Sequence, residues 1–420
     1  MFNLSLKIIQ NIRRSFFPFY RNKELQYIFK KLQEGFPSET VVARFVGGCV
    51  RRHISGEKVD DIDIATILTT DQIKEKFENT NLKVINTGVT HGTVTIISEN
   101  QKVELTTLRK DLKTDGRHAE VEYTDDWKLD SERRDFTINA IYLDIKGKIY
   151  DPQMGLDDLK NKNVKFIGDP QKRIEEDYLR IIRFIRFKIT YDIKVEEAIS
   201  SIIKQNLDGI KKISKERILL ELFKLLDLKN FFKINDNIHL REIFILIFPE
   251  FMYLNRLGRL KKINNYREFD REILLGLLLI DQKKNHEYFV HKYNVSNRIK
   301  DILENLALNL EELKKNKKFL DDDLIKNIYI HGKDHLKALN LINFSINPKT
   351  KLYEFKKILN RISKSNIPKF PIDGEFLKQN GLREGKTLGK ILKKIEKEWI
   401  DNSFKISNER IKELIRVNSI

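Results

Sequence analysis

Two aspartates separated by one apolar residue are the side chains of this sequence best suited to chemistry. Asp61 and Asp63 lie in the run Val59-Asp-Asp-Ile-Asp-Ile-Ala65, which has the pattern of a β-strand. Side chains two positions apart on a strand point to the same face, so the two carboxylates should lie side by side. Carboxylates this close repel each other unless a cation lies between them, and Mg²⁺ is commonly held by one or two carboxylates together with substrate phosphates. The pattern predicts a site for two Mg²⁺ ions that could stabilise both the attacking and the leaving oxygens of a phosphoryl displacement.

A pair of glycines precedes the aspartates and ends an apolar segment that also reads as a strand. Gly47 and Gly48 are followed by Arg51 and Arg52 at the start of a basic helix. Glycines let the backbone approach a ligand closely, while helix N–H groups and guanidinium groups bind anions, so this segment predicts a triphosphate site. A lone glycine pair or a lone Asp-x-Asp is more often an ordinary surface turn. Their occurrence in this order favours nucleotide chemistry over that reading.

The segments after the aspartates predict the rest of a sheet. Val84–Thr90 and Gly92–Ile97 read as paired strands, and Lys102–Arg109 reads as a further strand beside them. If that strand adjoins the aspartates, Glu104 supplies a third carboxylate that ligates metal or helps to deprotonate a hydroxyl group. An ordinary solvated strand residue is the alternative for Glu104.

A polar segment and a cluster of hydrogen-bonding side chains follow. Lys110–Leu129 lacks periodicity and is expected to be a mobile loop, within which Asp115 and Arg117 are a conjectured working pair. The next segment contains groups that could bind phosphate and ribose hydroxyls, namely Arg133, Arg134, Asp135 and Asn139. The alternative is a helix cap with surface ion pairs. A hairpin of Ile141–Ile145 and Lys148–Asp151 is predicted next.

From Gln171 onwards the periodicity is helical. Asp177, Arg180 and Arg183 recur every three residues and are predicted to share one helix face. Cytosine and adenine both present an amine donor beside a ring-nitrogen acceptor, so a carboxylate beside a guanidinium group would accept both and reject uracil and guanine. This predicts base selection by the face of Asp177, Arg180 and Arg183, with Asp177 and Arg180 as the pair that reads the base. An exposed salt bridge between residues i and i+3 is the alternative.

Composition narrows the expected partners. The chain has 420 residues and a net charge of +18, which favours a polyanionic partner such as RNA. Cys49 is the single cysteine, so an intramolecular disulfide is excluded and a buried position is expected. No apolar run approaches the length of about 20 residues that a membrane-spanning helix needs, so no membrane partner is predicted. Five basic residues precede the first acidic residue, Glu24, a feature of organelle presequences, but an ordinary amphipathic helix and a cytoplasmic location are preferred.

Several motifs in the same order resemble those of the class II tRNA nucleotidyltransferases and bacterial poly(A) polymerases of the polymerase β superfamily. The motifs that carry this resemblance are Gly47-Gly48-x-Val-Arg51, Asp61-x-Asp63, Arg133-Arg134-Asp135-Phe-Thr-x-Asn139, Asp151-Pro-x-x-Gly155-x-x-Asp158-Leu159, Glu176-Asp177-x-x-Arg180 and Ser214-Lys-Glu-Arg217-x-x-x-Glu221. The resemblance implies an α+β fold, in which a nucleotidyltransferase head with a mixed β-sheet and flanking helices precedes an all-helical neck, body and tail. The boundaries expected are an extension at 1–25, a catalytic head at 26–150, a neck at 151–227, a body at 228–330 and a tRNA-binding tail at 331–420.

The resemblance also implies an activity and supporting residues. Glu176, Arg217, Glu221 and Arg109 are expected to support the residues that select the base. The implied reaction is template-independent addition of CCA to the tRNA 3′ end, with CTP, ATP and the tRNA acceptor arm as partners and no DNA partner. The length of Lys110–Leu129 favours full CCA addition, since relatives confined to CC addition are shortened there. A poly(A) polymerase or A-adding enzyme is the first alternative, and a non-catalytic RNA-binding protein is the second.

Overall fold

The computed structural model of this chain describes residues 18–88, 92–99, 101–114, 119–193, 195–263, 270–382 and 384–417, without the side chains of 112–114, 119 and 120. Contacts divide the chain into two compact units, Met1–Pro249 and Glu250–Ile420. The predicted neck, body and tail boundaries within these units stay predictions, and the predicted N-terminal helix lies outside the described residues.

A mixed sheet forms the centre of the first unit. Its strands run in the order β3-β4-β5-β2-β1-β8-β9, and β6 pairs with β7 in a separate two-stranded sheet. The strands are β1 (Ala43–Val46), β2 (Ile62–Thr66), β3 (Lys83–Gly88), β4 (Thr93–Ile97), β5 (Lys102–Thr107), β6 (Arg109–Thr114), β7 (Ala119–Tyr123), β8 (Tyr142–Leu143) and β9 (Ile149–Tyr150). The β2 and β5 strands are parallel, with Asp63 beside Glu104, whereas β1 is antiparallel to both β2 and β8.

Helices flank the sheet and continue the first unit beyond it. They are α1 (Lys23–Gln33), α2 (Gly48–Ile54), α3 (Thr70–Phe77), α4 (Trp127–Glu132), α5 (Gly155–Lys160), α6 (Pro170–Glu176), α7 (Leu179–Tyr191), α8 (Glu197–Gln205), α9 (Lys215–Leu226) and α10 (Ile238–Ile247). Alternating apolar side chains of β2 and β5 are buried, which explains why both strands lie at the centre of the sheet. The thiol of Cys49 is buried behind the glycine pair, as expected.

The regular secondary structure described in the second unit is all helical. Its helices are α11 (Leu257–Leu260), α12 (Arg271–Leu279), α13 (Asn285–Tyr293), α14 (Asn297–Lys315), α15 (Leu324–His331), α16 (Lys333–Ile346), α17 (Leu352–Lys364), α18 (Gly374–Gln379), α19 (Lys386–Asp401) and α20 (Asn408–Val417). Apolar residues of the last three helices, such as Leu377, Ile395 and Leu414, pack into one core. Among the helices described, none combines the length and the apolar character that crossing a bilayer requires.

The α+β class and most predicted elements are confirmed. The predicted pair around 84–97 is the β3/β4 hairpin, the predicted hairpin at 141–151 is β8/β9, and the chain after Gln171 is helical where it is described.

Two predictions about the segments between these elements are wrong. Lys110–Leu129 is not a loop: it contributes most of the β6/β7 hairpin and the start of α4. The strand predicted to run from Lys102 to Arg109 is interrupted at Leu108, where the chain leaves β5 for β6. The conjectured pair Asp115 and Arg117 lies outside the described residues.

Candidate active site

Three carboxylates lie near the start of the central strand β2. Asp61 directly precedes β2, Asp63 lies on it, and the parallel register of β2 and β5 places Glu104 beside Asp63. The side chain of Asp61 is 83% exposed, and Arg52 approaches it at 3.8 Å. Burial, and then the negative charges of Glu104 and Asp61, raise the pKa of Asp63 above its ordinary value. The predicted adjacency of Glu104 to the aspartates is therefore present.

Burial contributes most to the raised pKa of Asp63, and repulsion from Glu104 and Asp61 adds to it. A cation would relieve this repulsion, so the donor set fits a hard divalent ion. Within the described ranges, no group of three or more His, Cys, Asp or Glu side chains is arranged to hold a metal ion by itself. Mg²⁺ is commonly held by one or two carboxylates together with substrate phosphates, and Asp61 and Asp63 could supply such carboxylates. A cavity of about 790 Å³ borders all three carboxylates and gives a substrate room to reach them.

The glycine pair lies against the same carboxylate. Gly47 has φ +73°, a conformation that L side chains rarely adopt, and α2 begins at the next residue. A Cβ atom added at Gly47 would lie 3.7 Å from Asp63 Oδ2, and one added at Gly48 would lie 4.0 Å from it. Glycine is required at Gly47 for its backbone conformation, and the two glycines keep the approach to Asp63 open.

A chain of polar contacts joins α2 to the segment after α4. Arg51 stacks on Phe187 at 4.7 Å and donates a hydrogen bond to Asn139 Oδ1. The side-chain nitrogen of Asn139 in turn donates to Asp135 Oδ1 at 2.9 Å. Arg183 donates to Asp135 Oδ2 at 2.7 Å. Burial raises the pKa of Asp135, but Arg183 and Asn139 outweigh it and bring the pKa to about 2. Arg51, Asp135, Asn139 and Arg183, predicted from separate motifs, thus lie in one network.

The adjacent pair of arginines is held by a residue that the sequence analysis missed. Asp130 is fully buried and accepts hydrogen bonds from Arg133 Nε at 2.8 Å, Arg134 Nη2 at 3.0 Å and the Tyr142 hydroxyl at 2.7 Å. Burial raises the pKa of Asp130, but Arg134 and Arg133 outweigh it and hold that pKa well below its usual range. Arg109, on β6, donates its backbone N–H to Asp130 at 3.4 Å. The spacing of Asp130 to Arg133 and Arg134, three and four residues, was the available signal.

The predicted base-reading residues lie close in sequence but bind other partners. The helix predicted to run through Asp177 is interrupted there, because Asp177 has φ −155° and separates α6 from α7. Asp177 accepts a hydrogen bond from Arg217 Nη2 at 2.7 Å, while Arg180 donates to Glu176 Oε2 at 2.7 Å. The prediction that Asp177 shares a helix face with Arg180 and Arg183 is therefore wrong. Asp177 and Arg180 each bind another partner and do not form the i, i+3 salt bridge that was the alternative.

The remaining supporting residues brace α7. Glu221, on α9, is buried and accepts a hydrogen bond from Arg186 Nε at 2.9 Å, with Arg183 Nη1 at 3.6 Å. Burial raises the pKa of Glu221, but Arg186 and Arg183 outweigh it and lower that pKa. The predicted Glu221 and Arg217 thus position α7 and Asp177 from one helix.

Comparisons with known proteins agree along most of the chain. Residues 43–165 match the model of the Poly A polymerase head domain, and residues 192–254 match one described as the probable RNA and SrmB-binding site of polymerase A. The chain is 33% identical to the Homo sapiens protein named CCA tRNA nucleotidyltransferase 1, mitochondrial, across 94% of this chain and 92% of that protein. It is 31% identical to the CCA-adding enzyme of Ligilactobacillus salivarius, across 94% of each chain.

Solved structures share the fold. The CCA-adding enzyme of Bacillus stearothermophilus in complex with CTP superposes with a TM-score of 0.68 at 22% identity, covering 94% of this chain and 97% of that one. The Thermotoga maritima CCA-adding enzyme complexed with tRNA superposes with a TM-score of 0.60 at 21% identity, covering 94% of this chain and 96% of that one.

Proposed function

Because this chain belongs to the family of CCA tRNA nucleotidyltransferases, we propose that it adds C, C and A to the 3′ end of tRNA, using CTP and ATP and releasing pyrophosphate. The chain is a nucleotidyltransferase, and its family generally uses divalent metal ions. The single observation that carries the proposal is the proximity of Asp61, Asp63 and Glu104 to the glycine pair. The substrate is an RNA, with which the charge of +18 agrees.

Asp61 and Asp63 would hold two Mg²⁺ ions, which when bound would supply positive charge to the triphosphate and to the attacking 3′-hydroxyl group. Glu104 would complete the coordination or accept the proton of that hydroxyl group. Gly47 and Gly48 would let the triphosphate reach Asp63, and the partly exposed Arg52 would contact a phosphate.

The second network would hold the sugar and the base. Asn139 and Asp135 would contact the ribose hydroxyls, with Arg51 and Arg183 holding them in place. Arg133 and Arg134 would lie near the phosphates, and Asp177 with Arg180 would select the base. The contact of Asp177 with Arg217 supports this role, because it fixes one partner of the pair before the base arrives.

An incorporation assay tests the proposal against the first alternative. Purified protein is incubated with tRNA that ends at the discriminator base and, separately, with an unstructured RNA, each with labelled CTP or ATP. We expect CTP to be added to the tRNA, followed by a single A. Long A tails, or A addition without C, would instead support the poly(A) polymerase or A-adding alternative, which the description of the head-domain model favours.

A variant tests the second alternative, a non-catalytic RNA-binding protein. Asp61→Ala should abolish nucleotide transfer while tRNA binding is retained, because the variant removes a proposed metal ligand only. Asp60→Ala is the matched control, since the neighbouring Asp60 is exposed and paired with Lys58 at 2.7 Å. Unchanged nucleotide transfer in Asp61→Ala, or loss of tRNA binding together with transfer, would contradict the proposed role.

The location in the cell is also a proposal. We propose a cytoplasmic protein, although the animal relatives are named as mitochondrial. Microscopy of tagged chains with and without residues 1–17 in a eukaryotic host distinguishes the two, since a presequence would send only the longer chain to mitochondria.

A further inference from the structure

Arg173, on α6, connects two segments that the proposed function keeps apart. Its Nη2 group donates to the backbone oxygens of Arg133 at 2.6 Å and Arg134 at 2.5 Å. Its Nη1 group forms an ion pair with Glu176 Oε2. One guanidinium group therefore binds both the arginine segment of the head and the acidic residue next to the proposed base-selecting pair.

Arg173 and Arg180 use the same two acceptors. Arg180 Nη1 binds Glu176 Oε2 at 2.7 Å, and Arg180 Nη2 donates to the backbone oxygen of Arg133 at 3.3 Å. Arg180 Nη1 also donates to the backbone oxygen of Arg173 at 2.8 Å. In this arrangement both Nη1 N–H groups and one Nη2 N–H group of Arg180 bind protein acceptors. These N–H groups can bind a base only if the present contacts are released.

The surroundings of Arg173 are costly for a residue with a purely structural role. Its side chain is 11% exposed, and its Nε–H is buried with no hydrogen-bond partner. A buried donor left unpaired costs free energy that a static cross-link would avoid. Burial, and then the positive charge of Arg180, lower the pKa of Arg173 to about 10, so it stays charged at neutral pH. The positive charges of Arg173 and Arg180 are thus held together by their shared partner, Glu176.

We propose that Arg173 is a positioning residue that keeps Glu176 and the Arg133 backbone oxygen paired when Arg180 turns towards the incoming base. With Arg173 present, release of Arg180 leaves neither oxygen without a donor. Without Arg173, Arg180 is the remaining donor of this pair and is held more firmly in its resting position. The inference rests on the proposed function, since it assigns a partner to the base-selecting Arg180.

The test is a comparison of variants in nucleotide choice. Arg173→Gln, Glu176→Gln and the double variant are compared with wild type for kcat/KM with CTP and with UTP on tRNA ending at the discriminator base. Melting temperature and tRNA affinity are measured alongside. Arg298→Gln is the matched control, because the exposed Arg298 lies outside the predicted tRNA-binding tail, 3.9 Å from Glu272.

We expect Arg173→Gln to reduce the preference for CTP over UTP about tenfold, the size of one lost charged hydrogen bond. The double variant should recover part of that preference, because the neutral amide introduced by Glu176→Gln no longer holds Arg180. Arg298→Gln should match wild type. If Arg173→Gln unfolds, Arg173→Lys takes its place and should lose part of the preference, since an ammonium group cannot span all three acceptors.

Three results would overturn the inference. They are an unchanged CTP preference in both Arg173 variants, equal losses for CTP and UTP, or a double variant that is less selective than Arg173→Gln. Each leaves the proposed function intact if wild type adds CTP to tRNA. Absence of CTP addition by wild type would instead refute the proposed function itself.

Discussion

Replacing Asp130 with asparagine should destabilise the first unit strongly, because Asp130 is the fully buried acceptor of three side-chain donors. Two of these donors are the guanidinium groups of Arg133 and Arg134, whose side chains are 15% and 16% exposed. Removing one partner from a buried ionic cluster leaves the other charges uncompensated, which typically costs about 3–5 kcal/mol. The asparagine side chain could still accept one hydrogen bond, so we expect a loss near the lower limit, about 3 kcal/mol.

Urea unfolding followed by circular dichroism and by tryptophan fluorescence measures this loss, since Trp127 packs against Tyr142. The matched control is Asp208→Asn, because Asp208 forms an exposed pair with Lys211 and should change stability by less than about 0.5 kcal/mol. A change below about 1 kcal/mol in Asp130→Asn would refute the reasoning that this cluster fixes the segment.

The same residue gives a pH dependence with a definite sign. The pKa of Asp130 is depressed in the folded protein, since Arg134 and Arg133 outweigh burial, so the unfolded state binds its proton more readily. Its contribution is fully present above the unfolded pKa of about 3.9 and declines as the pH falls below it. The difference in free energy of unfolding between the wild type and Asp130→Asn should therefore shrink in this acidic range. A difference that does not change with pH would contradict the depressed pKa of Asp130.

Three further predictions concern other parts of the chain. Gly47→Ala should cost about 1–3 kcal/mol in urea unfolding because of its φ of +73°, whereas Gly258→Ala, a helical position with open space, should not destabilise; equal effects would exclude backbone strain. Arg180→Ala should reduce discrimination against UTP and GTP about 10–100-fold, with little change in tRNA affinity by filter binding, and equal losses in both would contradict base selection. Burial and His331 lower the pKa of His335, in the second unit, to about 4. The unfolded state therefore binds this proton first, and stability should fall as the pH decreases from 6.5 to 4. His335→Gln should flatten this pH dependence, and an unchanged slope would refute the prediction.

The central strands and the position of Asp63 were predictable from local patterns because their signals are periodic. Strands with one buried face alternate in sequence, and this alternation identified β2, although Asp61 lies one residue before the strand. The position of Glu104 beside Asp63 depended on which strands pair, which no local pattern determines. The sequence could therefore give Glu104 only as a conditional third carboxylate.

The hairpin at 109–123 was missed because it forms a sheet of two strands. Its residues are mostly polar, and a two-stranded sheet lacks the buried face that imposes alternation. The same segment leads into α4, where the buried Asp130 lies. A fully buried carboxylate in polar surroundings has no sequence signature beyond its spacing to nearby arginines.

The break at Asp177 shows a local rule overridden by a distant partner. The apolar periodicity continues across Asp177, so a single helix was the natural interpretation. In the structure the Asp177 side chain accepts a hydrogen bond from the Leu179 backbone N–H at 3.2 Å and another from Arg217. Aspartate side chains that cap the next helix compete with the helical hydrogen bonds of their own residue. The contact with Arg217 also explains why Asp177 does not pair with Arg180.

We propose that Asp61 and Asp63 together bind divalent ions at the nucleotide-binding site. Anomalous diffraction can locate such ions. Crystals grown with Mn²⁺ and CTP would be measured at the manganese absorption edge, with Asp63→Asn crystals as the comparison. We expect anomalous peaks between the two carboxylates and the CTP phosphates in wild type, and weaker or missing peaks in the variant. Peaks elsewhere, or CTP bound away from Asp61 and Asp63 with no ion at either aspartate, would contradict this proposal.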